Sequence, residues 1–146
     1  LDLVELNDEF VRRLNERFAA EEPFCSLGKR ARVLHGRVEE LPREAQYDVI
    51  VSGLPLNNFS VDDVERILEA FRELLRPGGV LSFFEYVAIR PARALLGGPV
   101  QRARLRGISA ALAGLLGPHE IQRDCVWPNL PPAWVHHVRL AQAGKG

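Results

Sequence analysis

The stretch from Tyr47 to Tyr86 constrains this chain more than any other. It reads YDVIVSG, then SVDDVERILEAFRELLRPGG, then VLSFFEY: a strand, a sharply bounded helix, and a second strand with almost no linker. Val61, Val64, Ile67, Leu68, Phe71, Leu74 and Leu75 recur at the helical period and form one apolar stripe. Ser60 is an N-cap, and Asp63 favours the positive end of the helix dipole. RPGG ends the helix, with Gly78 or Gly79 free to adopt a left-handed conformation. Two strands joined by one helix must run parallel and share a sheet, because the crossover returns the chain to its starting edge. The Val49-Ile50-Val51 run is continuous rather than alternating, as in strands covered on both faces.

The flanking segments extend this pattern. LDLVELN (1–7) is a β-compatible run, and Asn7 or Asp8 can cap a helix carrying Phe10, Leu14 and Phe18 on one face. That helix is expected to fade at EEPF, where Pro23 disfavours helix at the residue before it. ARVLHG (31–36) is a second strand, followed by a loop or turn over RVEELP. Beyond Ala88, residues 100–116 predict a helix with Leu105, Ile108, Leu112, Leu115 and Leu116 in one sector, beside Arg102 and Arg106. Two last strands are expected at about 119–127 and 134–140, around a Pro-rich corner. The whole predicts an α/β fold with a mostly parallel sheet, an antiparallel C-terminal strand and helices on both faces.

The 146 residues suit one domain, expected to divide into cofactor-side β/α units over 1–88 and a substrate-side helix and strands over 89–146. The 19 basic and 19 acidic side chains give no net charge, which argues against a general nucleic-acid surface. No run is long and apolar enough for a bilayer span, and no signal peptide is visible. A cytoplasmic protein is expected, with contact at the inner membrane face as an option. Cys25 and Cys125 lie outside any CxxC pattern and read as buried small apolar residues. The four histidines do not form a metal site; adjacent His136 and His137 should point to opposite faces of a strand. The chain has no methionine, and residue 1 lies inside an apolar run. Both features lead us to expect a chain lacking its N-terminal part.

The residues suited to chemistry gather at predicted strand tips. Glu5 ends the first strand, where an acid can accept both hydroxyls of a ribose, although an exposed strand-end acid reads the same way. Ser52 and Gly53 end the third, and Gly53 permits close backbone approach. Pro55 lacks an N–H, so neighbouring carbonyls are expected to point outward as acceptors, with Asn57 and Asn58 adding side-chain oxygens. Gathered acceptors of this kind suit a substrate amine; a turn with a helix cap is the plainer reading. Tyr86, at the fourth strand's tip, could present a hydroxyl to a headgroup or pack in the core. Residues 86–117 hold five arginines (Arg90, Arg93, Arg102, Arg104, Arg106) and no acid, which suits an anionic lipid surface. With 17 Arg against 2 Lys in the whole chain, a solvated helix fits equally well.

The ordered set of an acid-tipped strand, HGRVEELP, YDVIVSGLP, and a helix ending LLRPGG before a strand resembles the class I S-adenosylmethionine-dependent methyltransferases. Within them, VSGLPLNNFS, FFEY and VWPNLPPAWVHHVRL resemble the bacterial phospholipid N-methyltransferases, relatives of the ribosomal RNA adenine dimethylases. The resemblance implies S-adenosyl-L-methionine as cofactor and phosphatidylethanolamine-type lipid as substrate. It places Glu5 and Leu6 at the cofactor ribose, Val38 and Glu39 beside the adenine, and Ser52 and Gly53 near the methionine moiety. Pro55, Leu56, Asn57 and Asn58 match the substrate-facing loop, which Leu54 adjoins; from the residues themselves, Arg90 just past FFEY could bind a lipid phosphate, and Asn58 and Tyr86 are the expected catalytic residues. Arg37 stands where relatives often carry an Asp, and the Gly-rich loop after their first strand has no counterpart here, so weak cofactor binding is expected. In the RNA enzymes an aromatic ring occupies the place of Leu56 and stacks on the target base. Leu56 offers no such platform, worth about 1–3 kcal/mol per base, so RNA is disfavoured against lipid. Methylation of RNA or a small metabolite, and a non-catalytic methyltransferase-like domain, are the competing readings.

Overall fold

The structure, a computed structural model, describes residues 1–86, 98–128 and 132–139, without the side chains of Lys29 and Tyr86. It forms two compact units, Leu1–Pro42 and Arg43–Gly146.

In the first unit, β1 (Asp2–Glu5) and β2 (Arg32–His35) pair in parallel through α1 (Asp8–Ala20). Asn7 caps α1, its side-chain oxygen accepting from the N–H groups of Glu9 and Phe10 at 2.9 and 3.2 Å. The helix stops before Pro23, as the sequence requires. Phe18 packs edge-on against Phe24, and the Arg17 guanidinium lies over the Phe24 ring. No described side chain of α1 is fully buried, and Phe10 is 52% exposed. Two short 3-10 turns broken by a kink at Gly28 follow within Cys25–Arg30, and a single one at Val38–Glu40.

In the second unit, β3 (Tyr47–Ser52), β4 (Leu75–Tyr86), β5 (Glu120–Val126) and β6 (Ala133–Arg139) form a sheet in the order β3-β4-β6-β5. β3 and β4 are parallel, while β6 runs antiparallel to both β4 and β5. Three strands therefore share one direction and the C-terminal strand opposes them, an α/β Rossmann-like arrangement. Ser60 caps α2 (Val61–Leu74), accepting from the Asp63 N–H at 3.1 Å. The apolar stripe is the core: Val64, Ile67, Leu68, Phe71 and Leu74 are buried, together with Leu81, Phe83 and Val138 of the sheet. α3 (Pro99–His119) adds Leu105, Ile108, Leu112 and Leu115.

Two details depart from the sequence reading. β4 begins at Leu75 rather than after the glycines, because Leu75 already pairs with Tyr47. Gly78 takes the positive φ of 78°, while Gly79 is needed for space: a Cβ there would lie 2.9 Å from Leu75 and 3.0 Å from the Arg76 carbonyl. The Val49-Ile50-Val51 run is also not enclosed on both sides within its unit. Alternation along the strand turns Ile50 towards the core and leaves Val49 and Val51 58% and 80% exposed.

Candidate functional site

Glu5 sits at the C-terminal tip of β1, half-buried, with Oε1 accepting the Asn7 N–H at 2.8 Å. One carboxylate oxygen is thus committed to the turn into α1, and the acid is held at the strand end. Leu6 is 55% exposed, and its carbonyl lies 3.1 Å from His35 Nε2. Val38 is half-buried, and the Glu39 carboxylate lies 3.6 Å from the Arg37 guanidinium. The cation standing in place of the relatives' acid therefore pairs with its neighbour. These residues all belong to the first unit.

The second unit carries the loop that leaves β3. Ser52 is buried and its hydroxyl accepts from the Leu54 N–H at 3.3 Å, an ST-turn that bends the chain out of the strand. Gly53, Pro55 and Asn58 are exposed, so the loop is open to solvent. Leu56 is not part of any lining: at 5% exposure it is an anchor plugged into the core.

The backbone carbonyls of this loop are not aimed outward as expected. Leu54 O accepts from Leu56 N–H at 2.9 Å, and Pro55 O from Asn58 N–H at 2.8 Å, because residues 56–58 close a 3-10 turn. Asn57 O and Phe59 O both accept from Arg104 Nη1, at 3.1 and 2.5 Å. A half-buried guanidinium of α3 thus clamps the loop through charge-assisted bonds. Gly107, one turn along, lets α3 approach α2; a Cβ there would lie 2.7 Å from Val61 Cγ2. Sequence periodicity places Arg104 only at the margin of the apolar sector, and nothing in it signals a partner about fifty residues away.

At the same edge, β4 ends in Glu85 and Tyr86. Tyr86's side chain, and Arg90 and Arg93 entirely, lie outside the described residues. Glu85 is 20% exposed and faces the buried ring of His136, with Oε2 3.8 Å from Nε2. His136 stacks on Phe83 and meets Glu120 through Nδ1 at 2.6 Å. His137 points the other way, bridging Ser82 at 2.8 Å and Asp124 at 3.1 Å. The opposite-faces expectation holds. The carboxylates on either side of His136 went unread, since strand pairing alone brings residues 85, 120 and 136 together.

Cys25 and Cys125 are half-buried free thiols rather than core residues. Among the described residues, no group of three or more His, Cys, Asp or Glu could hold a metal ion. No described helix is long and apolar enough to cross a membrane.

Residues 1–79 match the methyltransferase domain family, and the chain belongs to that family. Its class is that of the S-adenosylmethionine-dependent methyltransferases, which makes S-adenosylmethionine the cofactor. Solved structures agree in fold. An S-adenosylmethionine-dependent methyltransferase from Methanosarcina mazei superposes with a TM-score of 0.70 at 14% identity, over 96% of this chain and 81% of the other. The N-methyltransferase NodS from Bradyrhizobium japonicum WM9 gives 0.64 at 14% identity, over 97% and 73%. The PH0226 protein from Pyrococcus horikoshii OT3 gives 0.67 at 11% identity, over 95% and 70%. Among curated protein sequences, none matches significantly.

Proposed function

We propose that this protein methylates the amine of a phosphatidylethanolamine-type phospholipid, with S-adenosylmethionine as donor. The observation that carries the reading is the β3 loop: it leaves the C-terminal tip of a parallel strand, exposes Gly53, Pro55 and Asn58, and holds no aromatic ring from Gly53 to Asn58. No ring from Gly53 to Asn58 is available to stack on a flipped base, and the exposed amide of Asn58 favours a headgroup amine. That a protein of similar fold is an N-methyltransferase supports nitrogen as the acceptor atom.

Glu5 suits the cofactor's ribose: Oε2 lies beyond the turn bond made by Oε1, and a carboxylate is the acceptor a vicinal diol requires. The bound sulfonium supplies an activated methyl group, so the protein's part is alignment of the amine and removal of its proton. Asn58 is placed to orient that amine from the loop tip, and Arg104 keeps the loop in register. Exposed Arg102 and Arg106, with Val100 84% exposed beside them, would meet the anionic membrane surface.

The test is transfer of labelled methyl groups by the purified protein to three acceptors: phosphatidylethanolamine vesicles, ribosomal RNA, and soluble amines. Label in the lipid with little in RNA is the expected result. Label in RNA alone would overturn the lipid assignment, and Asn58→Ala with unchanged kcat would remove that residue from the mechanism.

A further inference from the structure

The loop that Arg104 clamps uses only part of its guanidinium. A guanidinium carries five N–H donors: two on each terminal nitrogen and one on Nε. The two hydrogens of Nη1 serve the carbonyls of Asn57 and Phe59, at 3.1 and 2.5 Å. Among the described residues, Nη2 and Nε have no hydrogen-bond partner, and no carboxylate pairs with the group. Those two nitrogens share one edge of the plane. Their parallel N–H bonds form the side-on fork that matches two oxygens of a phosphate or carboxylate.

The surroundings leave this charge unanswered. Arg104 is half-buried, where a cation without a counter-ion is costly and an incoming anion relieves the cost. Its own helix carries Arg102 and Arg106 beside it and no acidic residue, so the local field is positive. The acids next along the chain from the loop are Asp62 and Asp63, in the first turn of α2. Asp63 is engaged by Ser60 and Arg66, and Asp62 is exposed. The two carbonyls at Nη1 are dipoles and leave the net charge in place.

The position of the fork ties it to the proposed acceptor. The carbonyls that Arg104 bonds flank Asn58, the exposed loop residue assigned to the substrate amine. In a phosphoethanolamine headgroup, two carbons separate the phosphate from the amine. A phosphate seated on the unused edge of Arg104 therefore keeps its amine beside the same loop. Arg90, the sequence's candidate for this phosphate, lies outside the described residues.

We infer that the Nε–Nη2 edge of Arg104 binds the phosphodiester of the acceptor headgroup, while Nη1 holds the loop that receives the amine. This rests on the amine-methyltransferase reading and adds to it a basis for selecting headgroup amines over other amines. One side chain then fixes both partners: the anionic end of the headgroup and the loop at which its nitrogen is methylated. A lysine would not replace it, since a single ammonium has no second edge.

The test compares two soluble acceptors, glycerophosphoethanolamine and ethanolamine, which carry the same amine with and without the phosphodiester. In wild type, kcat/KM should favour glycerophosphoethanolamine by at least about tenfold, the worth of one charge-assisted hydrogen bond. Arg104→Gln should bring that ratio close to one, and Arg104→Lys should recover only part of it. Loss of the loop clamp lowers both acceptors alike and cancels from the ratio, so an unchanged ratio in Arg104→Gln would overturn the phosphate role. Nitrogen NMR of the wild-type arginine Nε–H signals is an arm independent of turnover, with the Arg104 signal assigned by its absence from Arg104→Gln. Glycerophosphoethanolamine should shift that signal and ethanolamine should not. A shift with inorganic phosphate alone would mean a site for free phosphate and refute the headgroup assignment. Should wild type accept neither soluble amine, the titration decides alone; should it methylate no amine even in lipid vesicles, the parent reading fails instead.

Discussion

The two units of this chain are built on opposite principles. The described residues of 43–146 bury sixteen apolar side chains, from Leu56 to Val138, around α2, α3 and a four-stranded sheet. Residues 1–42 bury none to that degree; their described links are a two-stranded ladder, one aromatic pair and ion pairs on the surface. A two-stranded ladder and exposed ion pairs each contribute little in water. The difference teaches that Glu5, the acid proposed for the cofactor ribose, stands on the weaker frame, whereas the β3 loop proposed to face the acceptor is anchored in the stronger one.

The sharpest way to break that contrast is to truncate one side chain in each unit. Ile67→Ala should lose about 2–5 kcal/mol of unfolding free energy, from lost transfer and a residual cavity. Phe10→Ala, 52% exposed, should lose well under half as much, and equal losses in denaturant titrations would erase the distinction. Next in size is Gly107→Ala, which drives a methyl into Val61 at the α2–α3 contact. A loss of about 1–3 kcal/mol is expected from overpacking, measured by thermal unfolding. Ser60→Ala should cost about 1 kcal/mol through the lost cap of α2. The Ser60 hydroxyl, and then Arg66, hold the Asp63 carboxyl below its ordinary range. A depressed folded-state value contributes stability that is present above the unfolded value and disappears as pH falls through the folded one. Ser60→Ala should therefore narrow its gap to wild type in acid, below the usual carboxylate range. The smallest effect should be Arg12→Ala, which removes an exposed pair with Glu16 worth about 0.3–0.5 kcal/mol. A larger loss would mean that the first unit depends on its surface charges.

What the sequence disclosed follows the range of the forces involved. Local signals were legible: the Asn7 and Ser60 caps, the α2 stripe, and the opposed faces of His136 and His137. Each depends on neighbours within a few residues. The outward carbonyls were misread because Pro55 initiates a turn that consumes them, and Leu56 because one residue of a polar loop was needed to pin it to the core. The Arg104 clamp and the carboxylates around His136 arise from strand order and helix docking. No periodicity in the chain encodes such distances. The family resemblance supplied the methyltransferase class, which strand and helix patterns alone would have left as any doubly wound fold.

The neighbouring histidines of β6 carry one more consequence. Because His136 needs a dry pocket with Glu120 while His137 needs Ser82 and Asp124 on the opposite side, a slip of one position against β4 or β5 would exchange their surroundings. Every misaligned pairing would strand an imidazole without its oxygen partners, so the pair acts as a key that admits the last strand in one alignment alone.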